Sequence, residues 1–125
     1  MSHSLVFAGL IAVGLALGHS LLGERLIFKR LAEIAPSITA NPLLSHRHWA
    51  ALRSTWHLAS LLGLGFAAML FSMAFLDTDG NFKSWLLPVI SMTFLISAVY
   101  WIVGTRGKHL GWIPMLLIAL LVWWA

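Results

Sequence analysis

Four long apolar stretches separated by short charged segments constrain this chain more than any other feature. The hydrocarbon core of a bilayer is about 30 Å thick, and a helix needs roughly 20 mostly apolar residues to cross it. Residues 5–23, 57–76, 85–103 and 109–125 meet or approach that length. The remainder is too sparse in charge for a water-exposed surface. Of 125 residues, 10% are charged and 60% hydrophobic, with a mean hydropathy of +0.90, whereas a soluble domain carries roughly 25% charged residues. The expected fold is all-α: an integral membrane four-helix bundle in a single transmembrane domain, residues 1–125.

The second periodic segment, Trp49 to Leu76, is longer than a span. At 1.5 Å per residue it reaches about 42 Å, so its first turns are expected to project beyond the hydrocarbon. Pro36 through Pro42 breaks the chain before it, and Ser45 is placed to cap it. Asp77-Thr-Asp-Gly-Asn81 reads as a tight polar turn with helix caps, and Gly104 and Gly107 bracket the last turn. The amino-terminal span is expected to be retained, because Arg25, Lys29 and Arg30 follow it and no Lys or Arg precedes it, the reverse of a secretory signal.

Lysine and arginine placement sets the expected orientation. Arg25, Lys29, Arg30, Arg47 and Arg53 lie in the first connection, about 24–53, Arg106 and Lys108 in the last, and only Lys83 in the middle one. The positive-inside rule makes the first and last connections cytoplasmic and leaves both termini outside. The net charge of +4 is therefore topological, and no nucleic-acid partner is expected. Trp85 and Trp123-Trp124 then anchor the outer interface, and Trp49, Trp56 and Trp112 the inner one. Membrane lipids are the immediate partners.

Helices in lipid associate where small residues allow close approach. Ala8, Ala12 and Ala16 form one such row on the first span, and Gly14 and Gly18 a Gly-x-x-x-Gly pair on a neighbouring face; Ser60, Gly63 and Ala67 offer the second span a comparable surface. These two helices are expected to pack together.

The ionisable residues gather at the cytoplasmic side. His19, Glu24, Arg53 and His57, joined by Arg106 and His109, form a candidate polar cluster, with His46, Arg53, His57 and Ser60 on one helical face. Buried ionisable groups in a membrane usually pair with one another and mark functional sites. Two readings compete. In one the cluster binds a metal, haem or quinone, with His19 and His57 the first candidates as metal ligands or axial haem pair, and Trp56 and Phe28 placed to hold a quinone ring. In the other the same groups are interfacial structure, their long side chains reaching phosphates.

Other chemistries are set aside. With no cysteine there is no disulfide, thiolate metal site or cysteine nucleophile. Gly104-Thr-Arg-Gly-Lys108 lacks the phosphate-loop spacing, and at most binds a lipid phosphate. The Asp77 segment lacks the length of a calcium loop. No Gly-x-Ser-x-Gly elbow presents a serine nucleophile, and no catalytic residue is assigned.

Gly18-His-Ser-Leu-Leu-Gly-Glu-Arg25, Arg53-Ser-Thr-Trp-His57 and Arg106-Gly-Lys-His109 resemble small, uncharacterised four-helix proteins of bacterial inner membranes. The resemblance implies that location and carries no mechanism. Small size and short loops favour an accessory or assembly subunit of a larger membrane complex; the alternative is a membrane protein that binds a metal, haem or quinone through the His/Glu/Arg cluster.

Overall fold

A computed structural model describes residues 2–31, 33, 46–76 and 79–125. The chain is all-α in its described residues, with four helices: α1, His3–Leu22; α2, His46–Phe75; α3, Gly80–Thr105; and α4, Trp112–Trp123. Helix α1 passes without a break into π-helical turns, Gly23–Phe28, and stays helical through Leu31. The expected break at Pro36–Pro42, the Ser45 cap, the His46 side chain, and Asp77 with Thr78 lie outside the described residues.

Three helices are long and apolar enough to cross a membrane: His3–Leu31, Arg47–Phe75 and Gly80–Thr105. The fourth is shorter than its expected span of 109–125. Its 12 residues rise only about 18 Å. The cause is local: Gly107 turns at φ +73°, residues 108–111 form turns, and α4 begins only at Trp112, two residues before Pro114, where a missing N–H is tolerated. The preceding helix ends in two bonds that satisfy its last carbonyls, from the Arg106 N–H to Val103 O (3.3 Å) and from the Gly107 N–H to Ile102 O (2.8 Å). At the other end of α3, the Asp79 carboxylate accepts from the Asn81 N–H (3.0 Å) and caps the helix, as its place in the turn leads one to expect.

Helix α1 packs along α2 and also against α4, and α4 packs along α3. Small residues set the first contact. Ala8, Ala12 and Ala16 are buried, and a Cβ built on Gly63 would stand 3.2 Å from the Ala16 Cβ. Two further glycines, Gly9 and Gly23, take part. A Cβ at Gly9 would lie 2.8 Å from the Phe71 ring, and one at Gly23 would overlap the Trp56 indole. Gly9, Ala16 and Gly23 thus recur every seven residues, the period of two helices that stay in contact over a long distance. Across the other seam, the Ser91 hydroxyl donates to Ala119 O (2.8 Å), joining α3 to α4.

The close-packed core is confined to one end. Leu5, Ala8 and Ala12 meet Leu70, Met73, Ile90, Ile118 and Val122 there. These residues belong to the amino-terminal half of α1, the carboxy-terminal halves of α2 and α4, and the first half of α3. Large apolar side chains cover the outside of the molecule, with Leu61, Ile96 and Val103 each more than 60% exposed. A water-facing helix would place polar residues at those positions.

Candidate functional site

At the opposite end from the core, α1 and α2 are fastened by side chains rather than by close apolar packing. The anchor is the Glu24 carboxylate, in the π-helical turns. It accepts from Arg53 Nε (3.0 Å) and from Arg53 Nη2, a two-pronged arrangement that fits guanidinium geometry. His57, one turn further along α2, places Nε2 3.2 Å from the same carboxylate. Facing a carboxylate, Nε2 carries the proton and donates. Its other nitrogen, Nδ1, lies 2.7 Å from the Ser20 hydroxyl and in the neutral ring accepts from it. Ser20, His57, Glu24 and Arg53 therefore form one chain of bonds between the helices. The Arg53 and Glu24 side chains are 51% and 39% exposed, so water and salt screen their attraction.

Aromatic packing continues this fastening. The His19 ring stacks on Trp56 with centroids 4.2 Å apart and planes within 8°. The Trp56 indole N–H donates to the His19 carbonyl at 3.0 Å. That carbonyl sits where regular turns pass into π-helix, a change that reassigns backbone bonds. Phe28, buried, meets Trp49 and Trp56 edge to face at 5.5 and 5.7 Å. Trp56 thus packs on both His19 and Phe28.

Two cavities open beside the fastened pair. The larger, about 740 Å³, lies between α1 and α4 and is lined by Ile11, Gly14, Gly18, His19, Trp56, Trp101, Lys108, His109 and Met115, among others. Here the Gly-x-x-x-Gly pair finds its role: a Cβ on Gly14 or Gly18 would have nothing within 4 Å. The alanine row faces α2, and the glycine face, turned away from it, borders open space. The smaller cavity, about 340 Å³, is lined by residues of all four helices, including Ala16, His19, Ser60, Phe66, Phe94, Ser97, Trp101 and Met115. Leu15, His19, Trp101 and Met115 border both.

The candidate residues thus divide into three groups. Glu24, Arg53 and His57 are joined by hydrogen bonds, with Ser20 as a fourth member. His19 and His109 line the larger cavity; His109 packs on Trp101 with centroids 4.5 Å apart and accepts the Gly111 N–H at Nδ1 (3.0 Å). Arg106 joins neither group. It ends α3 in the left-handed conformation, φ 52°. Trp101, which walls both cavities, carries no signal in the sequence beyond its being aromatic.

The donor set has consequences for metal chemistry. Among the described residues there is no group of three or more His, Asp or Glu able to hold a metal ion. Both ring nitrogens of His57 face hydrogen-bonding partners, so ligation of a metal or haem there requires giving up the bond to Ser20 or to Glu24. Compared with family models, with curated proteins and with solved structures, the chain matches none, and its site is read from its own residues.

Proposed function

We propose that the chain is a small multi-pass membrane protein that holds a lipid-soluble molecule between α1 and α4, toward the cytoplasmic face. One observation carries the reading: a cavity of about 740 Å³, in the size range of small-molecule sites, bordered by two glycines that support no helix contact. Helices packed for stability alone fill such space, because voids forfeit dispersion contacts. Its lining is mainly apolar, with His19, Lys108 and His109 as the polar groups.

The lysine and arginine distribution supports a plasma-membrane orientation in which residues 24–53 and 106–108 are cytoplasmic and both ends of the chain lie outside. In the bacterial inner membrane that the sequence resemblance implies, the cavity would open near the inner leaflet. The Glu24–Arg53–His57–Ser20 chain then serves as a fastening that keeps α1 on α2 while α4 stands off. It positions the cavity wall and does not contact the bound molecule.

The test is extraction of lipid-soluble material from protein purified in mild detergent, read by mass spectrometry, for wild type and Gly18→Leu. A Cβ at Gly18 meets nothing within 4 Å and the leucine side chain has the cavity to enter, so the variant's thermal stability should be no lower than that of wild type. Wild type should carry an enriched apolar compound that Gly18→Leu loses. Absence of any compound enriched over bulk membrane lipid would overturn the reading. Recovery of an empty protein within a larger stable assembly would put the accessory-subunit reading in its place.

A further inference from the structure

The smaller cavity contains a polar group without a partner. Ser60 is 6% exposed, lines this cavity, and its hydroxyl has no hydrogen-bond partner among the described residues. Five other helical hydroxyls bond to their own backbone. Thr55, Ser72, Thr93, Ser97 and Thr105 each donate to the carbonyl four residues earlier, at 2.6 to 2.9 Å. That option is open to any serine within a helix, and Ser60 does not use it. A buried hydroxyl left without a partner is destabilising, so natural structures rarely keep one that nothing ever satisfies.

The surroundings narrow what can satisfy it. Among the described residues, no Lys, Arg, Asp or Glu lines this cavity, so a charged head group would lie there uncompensated. Phe66 and Phe94, edge to face at 5.5 Å, and Trp101 give it aromatic walls. Ser60 also lies three residues beyond His57, about 4.5 Å closer to the middle of α2. Leu15, His19, Trp101 and Met115 border both this cavity and the larger one, which places the two side by side.

We infer that the two cavities form one binding site for a neutral, ring-headed lipid of the quinone type, whose ring carbonyl accepts the Ser60 hydroxyl hydrogen. The ring lies between the aromatic walls of the inner cavity, and the isoprenoid or alkyl tail leaves past His19 and Met115 along Gly14 and Gly18. This inference rests on the ligand-binding reading above and specifies the chemical class. No electron transfer is invoked.

The experiment is a binding titration in detergent with two probes, decyl-ubiquinone and decylbenzene, which share a decyl tail and of which only the first carries oxygen acceptors, carbonyl and methoxy, on its ring. It is run on wild type, Ser60→Ala and Ser97→Phe, with Ser84→Ala as a control outside both cavities, and folding of each variant is checked by circular dichroism and thermal unfolding. Wild type should bind decyl-ubiquinone more tightly than decylbenzene. Ser60→Ala should weaken decyl-ubiquinone about tenfold, as loss of one buried hydrogen bond does, and leave decylbenzene unchanged. Ser97→Phe, which fills the inner cavity, should weaken decyl-ubiquinone at least as much. Equal binding of the two probes by wild type, or equal decyl-ubiquinone binding by wild type and Ser60→Ala, would overturn the inference. If decyl-ubiquinone does not bind while Gly18→Leu still loses a co-purifying compound, the quinone assignment falls and the ligand-binding reading stands. If wild type also carries no enriched compound, both fall.

Discussion

Gly23 shows how one residue can hold two helices in register. It opens the π-helical turns, and the Trp56 indole occupies the place where a Cβ would stand, so Trp56 can stack on His19 and donate to its carbonyl. Gly23→Ala is therefore expected to displace Trp56 and lower stability by about 1–3 kcal/mol, the usual cost of overpacking. Thermal unfolding in detergent, followed with a shift in tryptophan fluorescence, measures both effects. The similar depth of Glu24, Arg53 and His57 was legible in the sequence, because the facing ends of two antiparallel spans lie at one level; their bonding to one another was not, because it depends on helix rotation. The position of Arg106 was not. Its charge points to the same cluster, and only the backbone conformation of the α3 terminus takes it elsewhere. The silence of Ser60 has the same origin, since whether a helical hydroxyl finds its own carbonyl depends on a rotamer.

At the scale of the element, α1 presents three different surfaces. Its alanine row and Gly9 face α2, its large side chains at Leu10, Leu17 and Leu21 are exposed, and Gly14 with Gly18 border the cavity. Two alanine substitutions separate the first surface from the third. Gly9→Ala should destabilise the protein, because its new methyl meets the Phe71 ring at 2.8 Å. Gly14→Ala should leave stability unchanged or raise it by up to about 1 kcal/mol, since nothing opposes the methyl and alanine is the better helix former. Thermal unfolding of the pair decides the assignment, and equal losses would show that both faces carry helix contacts. Small-residue spacing alone could not tell these surfaces apart. It reveals which faces permit close approach, and helix rotation decides which of them is used. The seven-residue recurrence of Gly9, Ala16 and Gly23 was available in the sequence, and it is the stronger signal because it persists along the helix. The shortened α4 has a comparable lesson: hydropathy runs on through 109–125, while the glycines and Pro114 that delay helix formation contribute little to it.

For the whole molecule, the helices long enough to cross a membrane were evident from length and composition, and their order of packing was not. Helix α1 lies between α2 and α4, so the first and last elements of the chain meet in the core. The proposed orientation has a direct check in reporter fusions. A periplasm-active phosphatase should be active after Ala125 and in the connection near Asn81, and a fluorescent protein that matures only in the cytoplasm should be bright when fused after Glu33. A carboxy-terminal reporter found in the cytoplasm would reverse the orientation and place the cavities near the outer leaflet.

The separation of a filled end from a hollow end also has a mechanical meaning. Close-packed protein resists compression, whereas voids are where volume can be given up. One end of this molecule is therefore stiff and the other compliant. Lateral pressure from surrounding lipid is expected to shift α4 against α1 at the cavity before it disturbs the packing around Leu5, Leu70 and Ile118, a difference that distances between spin labels on α1 and α4 would measure.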